Sequence, residues 1–214
     1  MEARGAEVLG LSGPHRTGKT TLAREYAKRR GILFVQTSTS GVFEQLGCDP
    51  KAEYSIEKRL MIQEVVLTTM ERQCRKAREK SQLFIADRTP IDAASYMLSE
   101  VHRTAIDSPE ISKLVNDYVA RCLKSTMEHF SVVILVQPGI KVQDQADKGV
   151  ACPANIEHLN SVQLGLLADE RNQVRRYAIP RGVTDLEMRI AALDKVFASA
   201  IEAEEALSKT RIHH

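Results

Sequence analysis

Gly13-Pro14-His15-Arg16-Thr17-Gly18-Lys19-Thr20 reads G-x-x-x-x-G-K-T, the spacing of a loop that wraps phosphate groups. Its flanks are those such a loop needs. Val8, Leu9 and Leu11 form a short apolar run that predicts a buried strand. Lys19 to Arg30 predicts a helix, with Leu22, Ala23, Tyr26 and Ala27 at helical spacing. The glycines let the backbone take positive φ and come close to a ligand. The loop N–H groups then point at phosphate oxygens, backed by the positive end of the helix dipole. The residues expected to hold the phosphates are Gly13, His15, Arg16, Thr17, Gly18, Lys19, Thr20 and Thr21. Lys19 has the reach for β- and γ-phosphates, and a hydroxyl after it can ligate Mg²⁺. Spacing gives the metal to Thr20 and not to Thr21. A chance glycine turn would carry the same letters without the strand before and the helix after.

The chain has 214 residues, enough for one domain with a sizeable core, and residues 1–214 are read as a single unit. Its composition, 43% apolar and 27% charged, is that of ordinary globular proteins. A formal charge of +2 is too small to imply nucleic acid by itself. The longest apolar run, Val132 to Val136, is far short of a membrane span. The N-terminal residues lack the apolar centre of a secretory signal, so the expectation is a cytoplasmic protein, in a host cytoplasm if the source is viral. Cys48, Cys74, Cys122 and Cys152 show no C-x-x-C spacing and read as free thiols.

Past the first helix, Gly31 ends it and Ile32 to Val35 predicts a second strand. Gln36 to Gly47 is polar and rich in Ser and Thr, and predicts a loop. Leaving a strand end beside a phosphate loop, it is placed to meet substrate, with Thr37 the candidate contact. Ser55 to Lys80 predicts a long amphipathic helix whose start carries Arg59, a second candidate. Its basic far end suits a helix C-terminus.

Leu83-Phe84-Ile85-Ala86 followed by Asp87-Arg88 predicts a strand that delivers a carboxylate to the metal shell. Thr89-Pro90-Ile91-Asp92 then opens a helix, with Thr as N-cap, Pro at the first position and Asp at the third, so Asp92 reads as a cap and not a catalyst. Arg88 at that turn either binds an acceptor phosphate or pairs with a local carboxylate, and the first reading is favoured. Ser108-Pro109 starts a further helix whose buried face is Ile111, Leu114, Val115, Tyr118, Cys122 and Leu123. Val132 to Val136 is the fourth strand and Tyr177 to Ile179 the fifth. Thr184 to Glu187 has the form of a capping box opening the last helix.

The order of elements resembles the P-loop kinases of the nucleoside and nucleotide kinase group. Asp87-Arg88 after the third strand looks like the Asp-Arg of thymidylate kinases. The Asp-Arg-Thr-Pro run looks closer to ribosylnicotinamide kinase-like and viral deoxynucleotide kinase-like members. The resemblance covers most of the chain, although only Gly13 to Thr20 is specific alone. It implies an α/β fold of three layers, with a five-stranded parallel sheet, helices on both faces and a lid. It further implies ATP and Mg²⁺ as cofactors and lid arginines over the transferring phosphate. Residues 141–176 match the lid in order, with Arg171, Arg175 and Arg176 as its cations, unless Asp169 and Glu170 pair with them instead. The catalytic set implied is Lys19, Asp87, Arg88, Arg171 and Arg175, with Thr20 and Asp87 on the metal and Thr37, Arg59 and Arg88 on the substrate.

One departure leaves the acceptor open. Many relatives that phosphorylate a hydroxyl carry an acid at the end of the second strand, and here Gln36-Thr37-Ser38 stands there. Either Asp87 is the base, or the acceptor is a phosphate. The group also contains kinases of a hydroxymethyl group on a DNA base, so nucleoside, nucleotide and DNA all stand as acceptors, and a homodimer stays open. A nucleotide-driven switch is the competing class, but no N-K-x-D or D-x-x-G accompanies the loop.

Overall fold

The computed structural model describes residues 8–37, 39–49, 52–101, 108–141 and 152–212. Five strands form one parallel sheet: β1 (Val8–Ser12), β2 (Leu33–Val35), β3 (Phe84–Ala86), β4 (Val132–Val136) and β5 (Arg175–Ile179), in the order β2-β3-β1-β4-β5. Strands buried on both faces read as continuous apolar runs, which is why β4 has no polar residue. Along it Val133 and Leu135 enter one core, and Val132, Ile134 and Val136 the other. β5 lies on an edge and alternates exposed and covered residues.

One face of the sheet is covered by α1 (Lys19–Arg30) and α7 (Leu186–Ile212). The other carries α2 (Thr39–Gln45), α3 (Ile56–Lys80), α4 (Pro90–Ser99), α5 (Pro109–His129) and α6 (Pro153–Ala168). The fold is the expected three-layer α/β arrangement. Local signals set its boundaries. Ser55 and Ser108 cap α3 and α5 by accepting N–H bonds from Lys58 and Ile111. Gly31, at φ 65, ends α1 in the left-handed region where glycine pays no steric cost.

Several expectations are corrected. The Gln36–Gly47 stretch is not all loop, because α2 forms within it and buries Val42 and Phe43. Leu114 is 48% exposed and does not belong to the buried face of α5. α7 is capped one residue later than the Thr184 box implies. Asp185 accepts the Met188 N–H at 3.0 Å, and Glu187 pairs with Arg29. In the expected lid, residues 142–151 lie outside the described ones. The remainder is regular: α6 packs Ile156, Leu159, Leu166 and Leu167 inward, and Arg175 begins β5.

Candidate active site

The phosphate loop leaves the carboxyl end of β1, where an open parallel sheet meets its ligands. Gly13 has φ 147, and a Cβ there would come within 2.5 Å of the Val136 carbonyl oxygen. Gly18, at φ 82, is the N-cap of α1. Arg16 takes φ 64, a left-handed conformation that a non-glycine residue adopts only when its surroundings impose it. The Thr17 hydroxyl donates to the Pro14 carbonyl at 3.0 Å and closes the turn. Lys19 folds back over the loop, its ammonium donating to the carbonyls of Gly13 and Pro14 at 2.5 and 2.8 Å. Burial pulls its pKa from 10.5 to about 8; Arg88 adds to the fall, and Asp92 and Asp87 oppose it.

β3, next to β1, delivers Asp87 beside this loop. One Asp87 oxygen accepts the Thr20 hydroxyl at 2.7 Å, and the other accepts the Thr37 N–H at 2.9 Å. Thr21 is exposed and makes no such contact, which supports Thr20 as the hydroxyl facing the metal position. Thr37 thus meets the site through its backbone. Among the described residues no cluster of three His, Cys, Asp or Glu side chains could cage a metal. Mg²⁺ needs none, since it is usually held by one or two carboxylates together with substrate phosphates and water. Thr20 and Asp87 are hard oxygen donors that already converge, so the residues present fit that ion.

Asp92 does more than cap α4. Its carboxylate accepts the Thr89 N–H at 3.0 Å, as the sequence suggests, but also the Ser12 hydroxyl at 2.9 Å and the Gly13 N–H at 3.3 Å. Gln163 of α6 reaches the same carboxylate at 3.4 Å and Ser95 at 3.0 Å. A fully buried aspartate therefore ties the first residue of the phosphate loop to α4 and α6. Only Ser12 and Gly13, at the start of the loop, hint at this from sequence, and neither names its partner.

A cleft opens beside Asp92, lined by Thr39, Gln63, Val66, Met70, Arg88 and Tyr96 among others. Burial works against the Arg88 charge, but Tyr96, Asp92 and Asp87 outweigh it and hold the pKa above the usual value. Tyr96 also lies 3.4 Å from His15 Nδ1, joining the cleft to the phosphate loop. Burial lowers the His15 pKa, as do Lys19, Arg16 and Arg88.

Other candidates are not brought here. Arg59 is buried, but its guanidinium goes to the Ala52 carbonyl, to Glu100 at 3.5 Å and over the Tyr54 ring. Arg171 forms a two-pronged pair with Asp169 at 2.7 and 2.9 Å. Arg175 is paired in register with Val132 and donates to the Ala200 carbonyl at 2.7 Å. It therefore lies toward the amino ends of the strands, while the loop leaves their carboxyl ends. Arg189 is a residue the sequence reading missed: it is 2% exposed and donates to the Thr17 carbonyl at 2.7 Å. The signal available was an arginine inside the apolar stripe of α7, between Leu186 and Ile190.

The AAA domain family model matches residues 9–149. No curated protein matches the sequence. Among solved structures, deoxyadenosine kinase from M. mycoides with bound dCTP matches with TM-score 0.62 and 17% identity, over 90% of this chain and 99% of that one. The NadR protein in complex with NR matches with TM-score 0.63 and 15% identity, over 90% of this chain and 50% of that one. NadR in complex with NAD and AMP-PNP gives TM-score 0.59 and 16% identity, and this chain spans about half of its length as well, 48%. At such identities the likeness is one of fold. No described helix is long and apolar enough to cross a membrane.

Proposed function

The chain belongs to the AAA domain family, and from that premise we propose that it is an ATP-dependent kinase of nucleosides or nucleotides. The observation that carries the reading is adjacency. Asp87, fixed on the Thr20 hydroxyl after the phosphate loop, is followed in sequence by Arg88, which lines the neighbouring cleft. A donor side and an acceptor side thus meet at the carboxyl ends of β1 and β3. A pure nucleotide switch needs only the first of them.

Phosphoryl transfer asks for alignment and charge neutralisation more than for covalent help. Here the loop N–H groups and the Lys19 ammonium would hold the β- and γ-phosphates. Lys19 would exchange the Gly13 and Pro14 carbonyls for phosphate oxygens. Thr20 and Asp87 would hold Mg²⁺, which when bound would supply positive charge against the phosphates. Both Asp87 oxygens already hold other groups, which favours a role in orienting Thr20 over one as proton acceptor. Arg88, Tyr96 and Gln63 would position the acceptor, with Val66 and Met70 as its apolar wall.

The test is a panel of nucleosides, deoxynucleotides and hydroxymethylated duplex DNA, incubated with Mg²⁺ and ATP labelled at the γ-phosphate. Label on a nucleoside or nucleotide is the expected result. Label on DNA alone would move the acceptor to a modified base. Release of inorganic phosphate with no labelled acceptor would overturn the kinase reading and favour a switch.

A further inference from the structure

Among the described residues, Arg189 is a buried cation with no buried anion beside it. Its Nε donates to the Val183 carbonyl and its Nη1 to the Thr17 carbonyl, both at 2.7 Å. Its Nη2 is buried with no hydrogen-bond partner. Among the described residues no carboxylate lies within ion-pair distance of it. The acids nearby on α7 are engaged elsewhere: Asp185 caps the Met188 N–H, Glu187 pairs with Arg29 and Asp194 with Arg30. Burial lowers the Arg189 pKa, with no neighbour restoring it.

Burying an unpaired charge is costly, so such a group persists where something compensates for it. Its position indicates what that is. A Cβ placed on Gly18 would lie 3.3 Å from Nη1, so the guanidinium sits directly against the N-cap of α1. That helix terminus already carries the positive end of its dipole toward the same place. Two positive contributions therefore reinforce each other beneath the Thr17–Gly18 turn.

We propose that Arg189 is a positioning residue for the donor nucleotide, its uncompensated charge fixing the Thr17–Gly18 turn and being offset by the polyphosphate that the turn binds. The inference rests on the phosphate-loop reading. It makes the last helix a working part of the nucleotide site, and it gives the site a preference graded by phosphate charge, ATP over ADP. A scaffold role alone would make the loss of Arg189 weaken ATP and ADP alike.

The experiment measures ATP and ADP dissociation constants by calorimetry, beside thermal unfolding of the free protein, for wild type, R189K and R189Q. Lysine keeps the charge and loses the planar fork; glutamine keeps a donor and loses the charge. R189Q should lose roughly tenfold or more in ATP affinity, the scale of a charge-assisted contact, and distinctly less for ADP. R189K should stay within a few-fold of wild type for both. Equal losses for ATP and ADP in R189Q, or no loss, would overturn the proposal. If R189Q does not fold, R189K decides: ATP and ADP affinities both within a few-fold of wild type support the charge, and a loss of tenfold or more in both alike, as the missing fork would give, overturns it. A wild type that binds no nucleotide would remove the phosphate-loop reading itself, which distinguishes that failure from this one.

Discussion

Lys19 makes its two hydrogen bonds with carbonyls of its own loop, so its removal leaves no distant partner exposed. Lys19→Ala is therefore expected to fold with a near-normal thermal transition and to lose phosphoryl transfer. A folded variant with wild-type turnover would contradict the phosphate loop. Asp87→Asn should keep nucleotide binding yet lower kcat by roughly 10²–10³-fold, the range for losing one preorganised electrostatic contact. Turnover within a few-fold, with nucleotide affinity measured alongside, would reduce Asp87 to a clamp for Thr37. His15 and His129 both have pKa values lowered first by burial, His15 further by Lys19 and His129 further by Arg78. The folded protein thus binds fewer protons than the unfolded chain just below the ordinary histidine pKa, about 6.5. Their contribution to stability is complete above that pH and is lost as pH falls through the folded values. Thermal unfolding should shift to lower temperature as pH falls below about 6.5, and less so in H15Q. A flat profile below that pH would contradict the burial of these rings.

At the scale of elements, capping gives a clean test. Asp185→Ala should cost about 1 kcal/mol of stability, the usual value of an N-cap, while Thr184→Ala should cost little. Equal effects in chemical denaturation would restore the box one residue earlier. The Arg171–Asp169 pair is exposed, and Arg175 bonds α7 from the amino end of β5. Substituting either should leave kcat within a few-fold, Arg175→Ala lowering stability instead; a kcat loss of tenfold or more, on the scale of a missing transition-state contact, would place them over the phosphates. These cases show what sequence can and cannot carry. β4 was legible because five β-branched or apolar residues in a row suit a strand covered on both faces. α4 was legible from Thr89, Pro90 and Asp92 because the cap is a local bond between near neighbours. α2 was hidden because Thr39, Ser40 and Gly41 read as loop, and only packing of Val42 and Phe43 against the core overrides that preference. Clustered arginines near a fifth strand looked like lid cations because composition does not say which end of the strand they occupy.

For the whole molecule, the site is assembled by topology. Placing β3 and β4 on either side of β1 puts Asp87 beside the phosphate loop, although 67 residues separate it from Thr20. The motif positions of Lys19, Thr20 and Asp87 were readable, because each sits at a fixed offset from a strand end. The roles of Asp92, Gln163 and Arg189 were not, because each depends on a tertiary partner 71 to 172 residues away. The cleft beside the loop was readable only in part: Arg88 was picked out from its strand-end turn, but Gln63 and Tyr96 lie on two helices that only the fold brings to it. The central claim is that both sides of this site serve one transfer. The most direct measurement is the destination of the γ-phosphate, followed in a single tube with labelled ATP, Mg²⁺ and the best acceptor, for wild type and for Lys19→Ala. Label appearing mainly on the acceptor with wild type, and absent with the variant, is the predicted result; label recovered as inorganic phosphate whatever acceptor is supplied would contradict it.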